Sequence, residues 1–148
     1  SQIELRLLAH YSKDETLVRA FLEDRDIHLE TSQKIFGESK AKENRNKAKT
    51  INFGVIYGIS QYGLAKQLGI SADEAKIYID NYFRQMPEIK AYMEKTIAFA
   101  HKNGFVLTPY GRKCFVFGIK ASSRILSPYV AASASLRSNI NRCANSLK

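Results

Sequence analysis

A mainly α-helical fold with one small β-hairpin is what this sequence predicts, on three observations. Apolar residues recur at helical spacing through most of the chain. Ser-x-x-Glu pairs and glycines punctuate those stretches where helices begin and end. One region, around Pro109-Tyr110-Gly111, changes to apolar runs flanking a turn. At 148 residues the chain is long enough for one domain with a real core, or for a piece of a larger one.

Taken in order, Ser1 to Tyr11 admits two readings. Ile3, Leu5 and Leu7 alternate as in a short strand, while Leu5, Leu8 and Ala9 fit a helix. Ser12 with Glu15 makes a capping box, and Leu17, Ala20 and Phe21 stripe the helix behind it. A second short helix runs from Asp26 to Gly37, with Ile27, Ile35 and Phe36 inward and Gly37 ending it. A lone His28 on such a helix is ordinarily structural or solvent-facing. Tyr62 to Leu68 forms another helix, stopped by Gly69. Ser71 with Glu74 is a second capping box, leading into Ala75, Tyr78, Ile79, Tyr82, Phe83 and Met86 at helical spacing. Pro87 sits where a first helical residue belongs, and the stripe from Ile89 to Ala100 ends near Asn103-Gly104. Phe105 to Thr108 and Cys114 to Phe117 are the strands of the hairpin, with Arg112 and Lys113 flanking its turn. No internal repeat or linker interrupts the chain.

The formal charge of +9 and a pI near 9.6 favour a polyanionic partner. Cys114 and Cys143 are far apart and have no CxxC spacing, which argues against a disulfide scaffold and a zinc site and fits a reducing cytoplasm. No apolar run approaches the roughly 20 residues of a membrane span, and no signal-peptide pattern opens the chain. Its first residue is Ser1, read as a cut or processed end.

One helix carries chemistry that core packing does not explain. From Arg45 to Gly58, the residues Arg45, Lys49, Phe53 and Tyr57 recur every fourth position and share one slowly drifting face. Two long cations at its start suit phosphate oxygens, and two rings at its end suit a stacked base. A solvated surface helix accounts for the mixed charge from Lys34 to Lys49. It does not account for the continuation into Phe53-Gly54-Val55-Ile56-Tyr57-Gly58. Ile51, Val55 and Ile56 lie away from the cationic face and are core residues. Gly54 costs roughly 1 kcal/mol against Ala inside a helix unless a close approach uses it.

These residues resemble the family A DNA polymerases, the bacterial DNA polymerase I type. Arg45 through Gly58 matches the motif R-x-x-x-K-x-x-x-F-G-x-x-Y-G at every specified position. Ser1-Gln-Ile-Glu-Leu-Arg6 is similar to the end of the first palm motif, and Asp26-Ile-His28 and the Thr108 to Lys113 hairpin also fit. The similarity covers Ser1 to about Ile119. It implies that residues 1–11 end the first palm motif and that 12–119 are the helical fingers subdomain with the helices and hairpin that follow.

The resemblance further implies template-directed nucleotidyl transfer from a dNTP to a primer 3′-hydroxyl, with primer-template DNA as partner. Arg45 and Lys49 would bind the triphosphate, Lys49 serving as general acid to the leaving pyrophosphate, because arginine is not a practical acid near neutral pH. Phe53 would stack on the new base or sugar. Tyr57 would gate entry of the templating base, and Glu4, with Gln2 and Ile3 beside it, would sit under the sugar. His28 would assist with the phosphates. Tyr57, Gly58, Arg112 and Lys113 would meet DNA.

Two departures limit that expectation. The family's metal-binding aspartate would lie two residues before Ser1, and its His-Asp-Glu hairpin motif is nowhere in the sequence. Mg2+ is therefore expected for a longer parent enzyme, with no metal ligand in this chain, and the 148 residues alone are expected to be inactive. The second departure is the basic, Ser-rich stretch 120–148, which lacks the family's Gln-Gly segment and holds none of the 14 acidic residues. Two readings of it stay open: a frameshift near residues 118 to 121, or a genuine basic tail without fixed structure or resting on DNA phosphates. Other functions to weigh are a non-catalytic basic module that binds nucleotide or DNA, and a decayed, truncated product. The expected state is a cytoplasmic monomer with no membrane contact.

Overall fold

The computed structural model describes residues 2–108 and 111–116. Seven α-helices, one short 3-10 helix (Glu38–Lys40) and one two-stranded antiparallel sheet make up the described part: α1 (Gln2–Ser12), α2 (Glu15–Leu22), α3 (Ile27–Phe36), α4 (Arg45–Ile56), α5 (Gln61–Leu68), α6 (Ala72–Gln85), α7 (Pro87–Asn103), β1 (Phe105–Leu107) and β2 (Lys113–Phe115). The mainly helical fold with a small hairpin is thus the observed one. Ser1, positions 109 and 110 and the stretch 117–148, with the readings that fall on them, lie outside the described residues.

Most helix boundaries fall where local chemistry sets them. Asp26 accepts from the His28 and Leu29 backbone N–H groups at the start of α3, and Gly37 closes that helix at φ 83°. Ser60 and Ser71 cap α5 and α6 by accepting from Gly63 N and Glu74 N. Gly69 and Gly104 end α5 and α7 in the left-handed region, which a Cβ would strain. Pro87 opens α7 at a position whose N–H has no helical partner to lose.

One open reading is decided and two local expectations are corrected. The opening residues form a helix and not a strand: Leu5 and Leu8 are fully buried and Ala9 nearly so, whereas Ile3 is 39% exposed, so the burial follows the helical period. The cap of α2 is Asp14, whose carboxylate accepts from Leu17 N at 3.0 Å; Ser12 ends α1 and only receives the Asp14 N–H. The first strand is one residue shorter than expected and the second begins one residue earlier, while Phe117 lies outside the described residues. Pairing starts at Phe105 with Phe115 and finishes at Leu107 with Lys113, because Thr108 leaves the ladder to bond Arg112 across the turn.

Helix α4 lies at the centre of the packing, against α3, α5, α1 and α6. Ile51 and Ile56 are fully buried there, joined by Leu5, Leu64, Tyr82 and Met86 from other helices. Each such aliphatic side chain contributes about 1.5–3 kcal/mol through burial. The hairpin instead packs on α7, where Val106 and Ala100 form a small separate cluster.

Candidate functional site

The outward face of α4 carries a graded series of side chains. Arg45 is partly exposed and Lys49 exposed, whereas Phe53 and Tyr57 are half-buried. The two rings lie nearly parallel, 6.5 Å apart with 21° between their planes. Tyr57 is the C-cap of α4, and Gly58 follows at φ 70°. The helix then turns back tightly, with Ile59 N donating to Gly54 O at 2.8 Å. A Cβ on Gly54 would lie 2.7 Å from Cγ2 of Ile59, so the glycine is what allows the approach. A groove of about 570 Å3 opens beside this face, lined by Lys49, Thr50, Phe53, Gly54, Tyr57 and Ile59.

The N-terminus of α3 meets the cationic end of α4. Arg45 Nε donates to Asp26 Oδ2 at 2.6 Å. Burial pushes the Asp26 carboxyl up, but the Arg45 bond and the Leu29 and His28 N–H groups outweigh it and hold Asp26 below the ordinary carboxylate value. His28 is buried, 8% exposed, with its ring 5.7 Å from that of Phe53. Its Nδ1 lies 3.2 Å from the carboxamide nitrogen of Asn52, which also donates to Thr31 Oγ1 at 3.0 Å. Thr31 in turn donates to Ile27 O at 2.8 Å. Burial pushes the imidazole below its usual pKa; nearby Asp26 opposes that, and the cations Arg45 and Lys49 reinforce it. The ring is therefore held neutral beside two positive charges.

The structure brings Arg45, Lys49, His28, Phe53 and Tyr57 to one side of the molecule through the packing of α3 on α4. Glu4, one turn into α1, joins them by accepting a hydrogen bond from the Tyr57 hydroxyl. Gln2 and Ile3 are exposed at the start of α1. Arg112 and Lys113 belong to the hairpin on α7, where Lys113 Nζ sits 4.8 Å over the Phe105 ring. Sequence reasoning did not single out Asn52 or Thr31, and it used Asp26 only as part of a motif. The available signal was a polar residue at an inward helical position: Asn52 follows Ile51 and precedes Val55, and all three are buried.

The arrangement can grip a polyanion at Arg45 and Lys49, donate a hydrogen bond from a neutral imidazole, and offer ring faces to a planar group. The family model for DNA polymerase family A matches residues 1–143. The chain belongs to that family.

Similar family A members include the DNA polymerase I of Caldicellulosiruptor bescii, 48% identical over 132 residues, which are 87% of this chain and 16% of that protein. The DNA polymerase I of Helicobacter pylori is 52% identical over 112 residues, 76% of this chain and 13% of its own length. Among solved structures, the polymerase domain of Pol1 from M. smegmatis, in complex with DNA primer-template and dNTP, superposes with a TM-score of 0.80 at 34% identity. That match covers 95% of this chain and 25% of the other. The chain thus spans 16% or less of the length of these two curated relatives.

Family A membership implies a divalent metal in general. Among the described residues no group of three or more His, Cys, Asp or Glu side chains could hold one. The two acids that meet the α4 face are already engaged there, Asp26 with Arg45 and Glu4 with Tyr57. The described residues therefore do not fit a metal site.

Proposed function

We propose that this chain supplies the nucleotide-gripping part of a DNA-directed DNA polymerase. The observation that carries the reading is the α4 face, where Arg45 and Lys49 precede the stacked Phe53 and Tyr57 and the neutral His28 lies alongside. The complex of the M. smegmatis neighbour with primer-template and dNTP supports the same partners here.

In the proposed reaction a primer 3′-hydroxyl gives up its proton to solvent and attacks the α-phosphorus, a new P–O bond forms, and the bond to the oxygen bridging to the β-phosphate breaks to release pyrophosphate. Arg45 and Lys49 hold the triphosphate with charge-assisted hydrogen bonds and offset charge that grows on the leaving group. Lys49 is exposed and donates the proton to that group. Phe53 stacks on the incoming base or sugar. Tyr57 gates the templating base while its hydroxyl keeps Glu4 in place, and Glu4 denies room to a 2′-hydroxyl, with Gln2 and Ile3 flanking the same edge. Gly58, Arg112 and Lys113 meet the DNA.

Mg2+ is the proposed metal of the longer enzyme, held by carboxylates outside the described residues. By this reading the 148 residues alone do not extend a primer. The family match extends to residue 143, which supports a genuine tail over a frameshift for the stretch 120–148. A monomer in the bacterial cytoplasm belongs to the same proposal. It agrees with bacterial relatives and with no helix among the described residues being long and apolar enough to cross a membrane.

The test is binding of dNTP and of primer-template to the full chain across a salt series, compared with an Arg45→Ala/Lys49→Ala variant. Tight, salt-dependent dNTP binding that falls at least tenfold in the variant is the expected result. Equal binding by both proteins would sink the reading. Supplying the missing palm residues in trans then separates a polymerase part, which regains primer extension, from a module that only binds.

A further inference from the structure

The site places a buried amide behind the histidine. Asn52 lies on the inward side of α4 and is fully buried, so its carboxamide must satisfy both N–H groups inside the protein. The single Thr31 hydroxyl proton has two acceptors in reach, Ile27 O at 2.8 Å and Asn52 Oδ1 at 3.3 Å; the shorter bond to Ile27 takes it, which leaves the Thr31 oxygen to accept from Asn52 at 3.0 Å. The second Asn52 N–H is then directed at His28 Nδ1, 3.2 Å away. Because an amide N–H can only donate, Nδ1 must offer its lone pair, and the imidazole proton resides on Nε2. Nε2 lies across the ring from Nδ1 and has no protein hydrogen-bond partner among the described residues.

We propose that Asn52 is a positioning residue: bridged between Thr31 and His28, it fixes the histidine as its Nε2–H tautomer and keeps that N–H available as a donor to the nucleotide phosphates gripped by Arg45 and Lys49. This deepens the nucleotide-binding reading and rests on it for the identity of the ligand. Asn52 never touches the ligand. It acts by deciding which ring nitrogen presents a proton, and a reversed tautomer would turn a lone pair toward phosphate oxygens, exchanging attraction for repulsion. The interaction spans 24 residues of sequence and two helices, so it exists only once α3 has docked on α4.

The experiment uses the full chain labelled with 15N at histidine. Long-range 1H–15N correlation spectra distinguish the two tautomers directly, and the unaltered chain is expected to show His28 as Nε2–H. A His28 found as Nδ1–H, or averaging freely between tautomers, overturns the inference whether or not nucleotide binds. Asn52→Asp, which can only accept, is expected to move the proton to Nδ1 or to yield the imidazolium. Titration with dNTP is expected to weaken about tenfold in Asn52→Leu. In a His28→Ala background the same substitution is expected to change affinity less than twofold. A loss of equal size in both backgrounds overturns the positioning role, because a general structural effect does not need His28. An unaltered chain that shows the Nε2–H tautomer but binds no dNTP overturns the nucleotide reading, and with it the ligand named here.

Discussion

Arg45 Nε donates to Asp26 Oδ2 at 2.6 Å, which fastens the first cation of α4 to the residue that caps α3. One carboxylate thus serves two helices. Asp26→Asn separates its two tasks, since asparagine caps a helix about as well as aspartate but carries no charge. Both partners are more than a third exposed, so solvent screens the pair and the stability loss at neutral pH is expected to stay below about 1 kcal/mol. The sign of its pH dependence follows from the lowered carboxyl value. The stabilisation is fully present above 3.8 and is lost as pH falls through the lower folded value. Urea denaturation at a series of acidic pH values should show that loss in the unaltered chain and a flatter profile in Asp26→Asn.

Asp14 is predicted to behave in the opposite sense. Burial pushes its carboxyl up; the Leu17 N–H opposes that, and the neighbouring Glu88 adds to it. A carboxyl with a raised folded value contributes stability below 3.8 and loses it as pH rises through that folded value. At pH 7 the buried charge is therefore a liability. Asp14→Asn keeps an acceptor for Leu17 N and should raise the unfolding free energy at pH 7 by about 1 kcal/mol. A thermal or urea midpoint lower than that of the unaltered chain would contradict this.

His28 links stability to pH in a third window. Its folded value lies below 6.5, so its contribution is full above 6.5 and is lost as pH falls from there through the folded value. The unfolding free energy should decline as pH falls below about 6.5, with a shallower slope in His28→Gln, where nothing titrates. Parallel slopes for the two proteins would refute the linkage.

Gly54→Ala tests the turn after α4. Alanine is worth about 1 kcal/mol over glycine in a helix interior, but its Cβ would meet the β-branched Ile59 side chain at 2.7 Å. Overpacking of that kind costs about 1–3 kcal/mol, so a net loss of about 1 kcal/mol is expected. Ile59→Ala removes the opposing methyl, and a double-mutant cycle should return the helix-propensity gain to Gly54→Ala. A Gly54→Ala chain more stable than the original would show that Ile59 gives way freely.

Much of the architecture is legible in the sequence because its signals act over three or four residues. Ser71 with Glu74, Pro87 and Gly104 each satisfy or remove a backbone group within their own turn, and they mark helix ends correctly. The same locality explains what the sequence misplaced or left open. Ser12 and Asp14 both offer a side-chain oxygen near the start of α2, and only the path of the chain out of α1 decides that Asp14 makes the bond. At the first helix, Leu5 serves a strand period and a helix period equally, and the core against which Leu8 and Ala9 pack settles the matter.

The α4 face divides in the same way. Sequence alone determined that Arg45, Lys49, Phe53 and Tyr57 share one side of a helix, because a fourfold spacing and a period of 3.6 residues require it. It also carried the family motif that names the chemistry. Only the tertiary structure decided how those residues are held: Arg45 by Asp26 across 19 residues, Tyr57 by Glu4 across 53, and His28 by Asn52 across 24. Such pairings have no local period to betray them. They arise when apolar faces drive α1, α3 and α4 together and the polar groups buried with them must find partners.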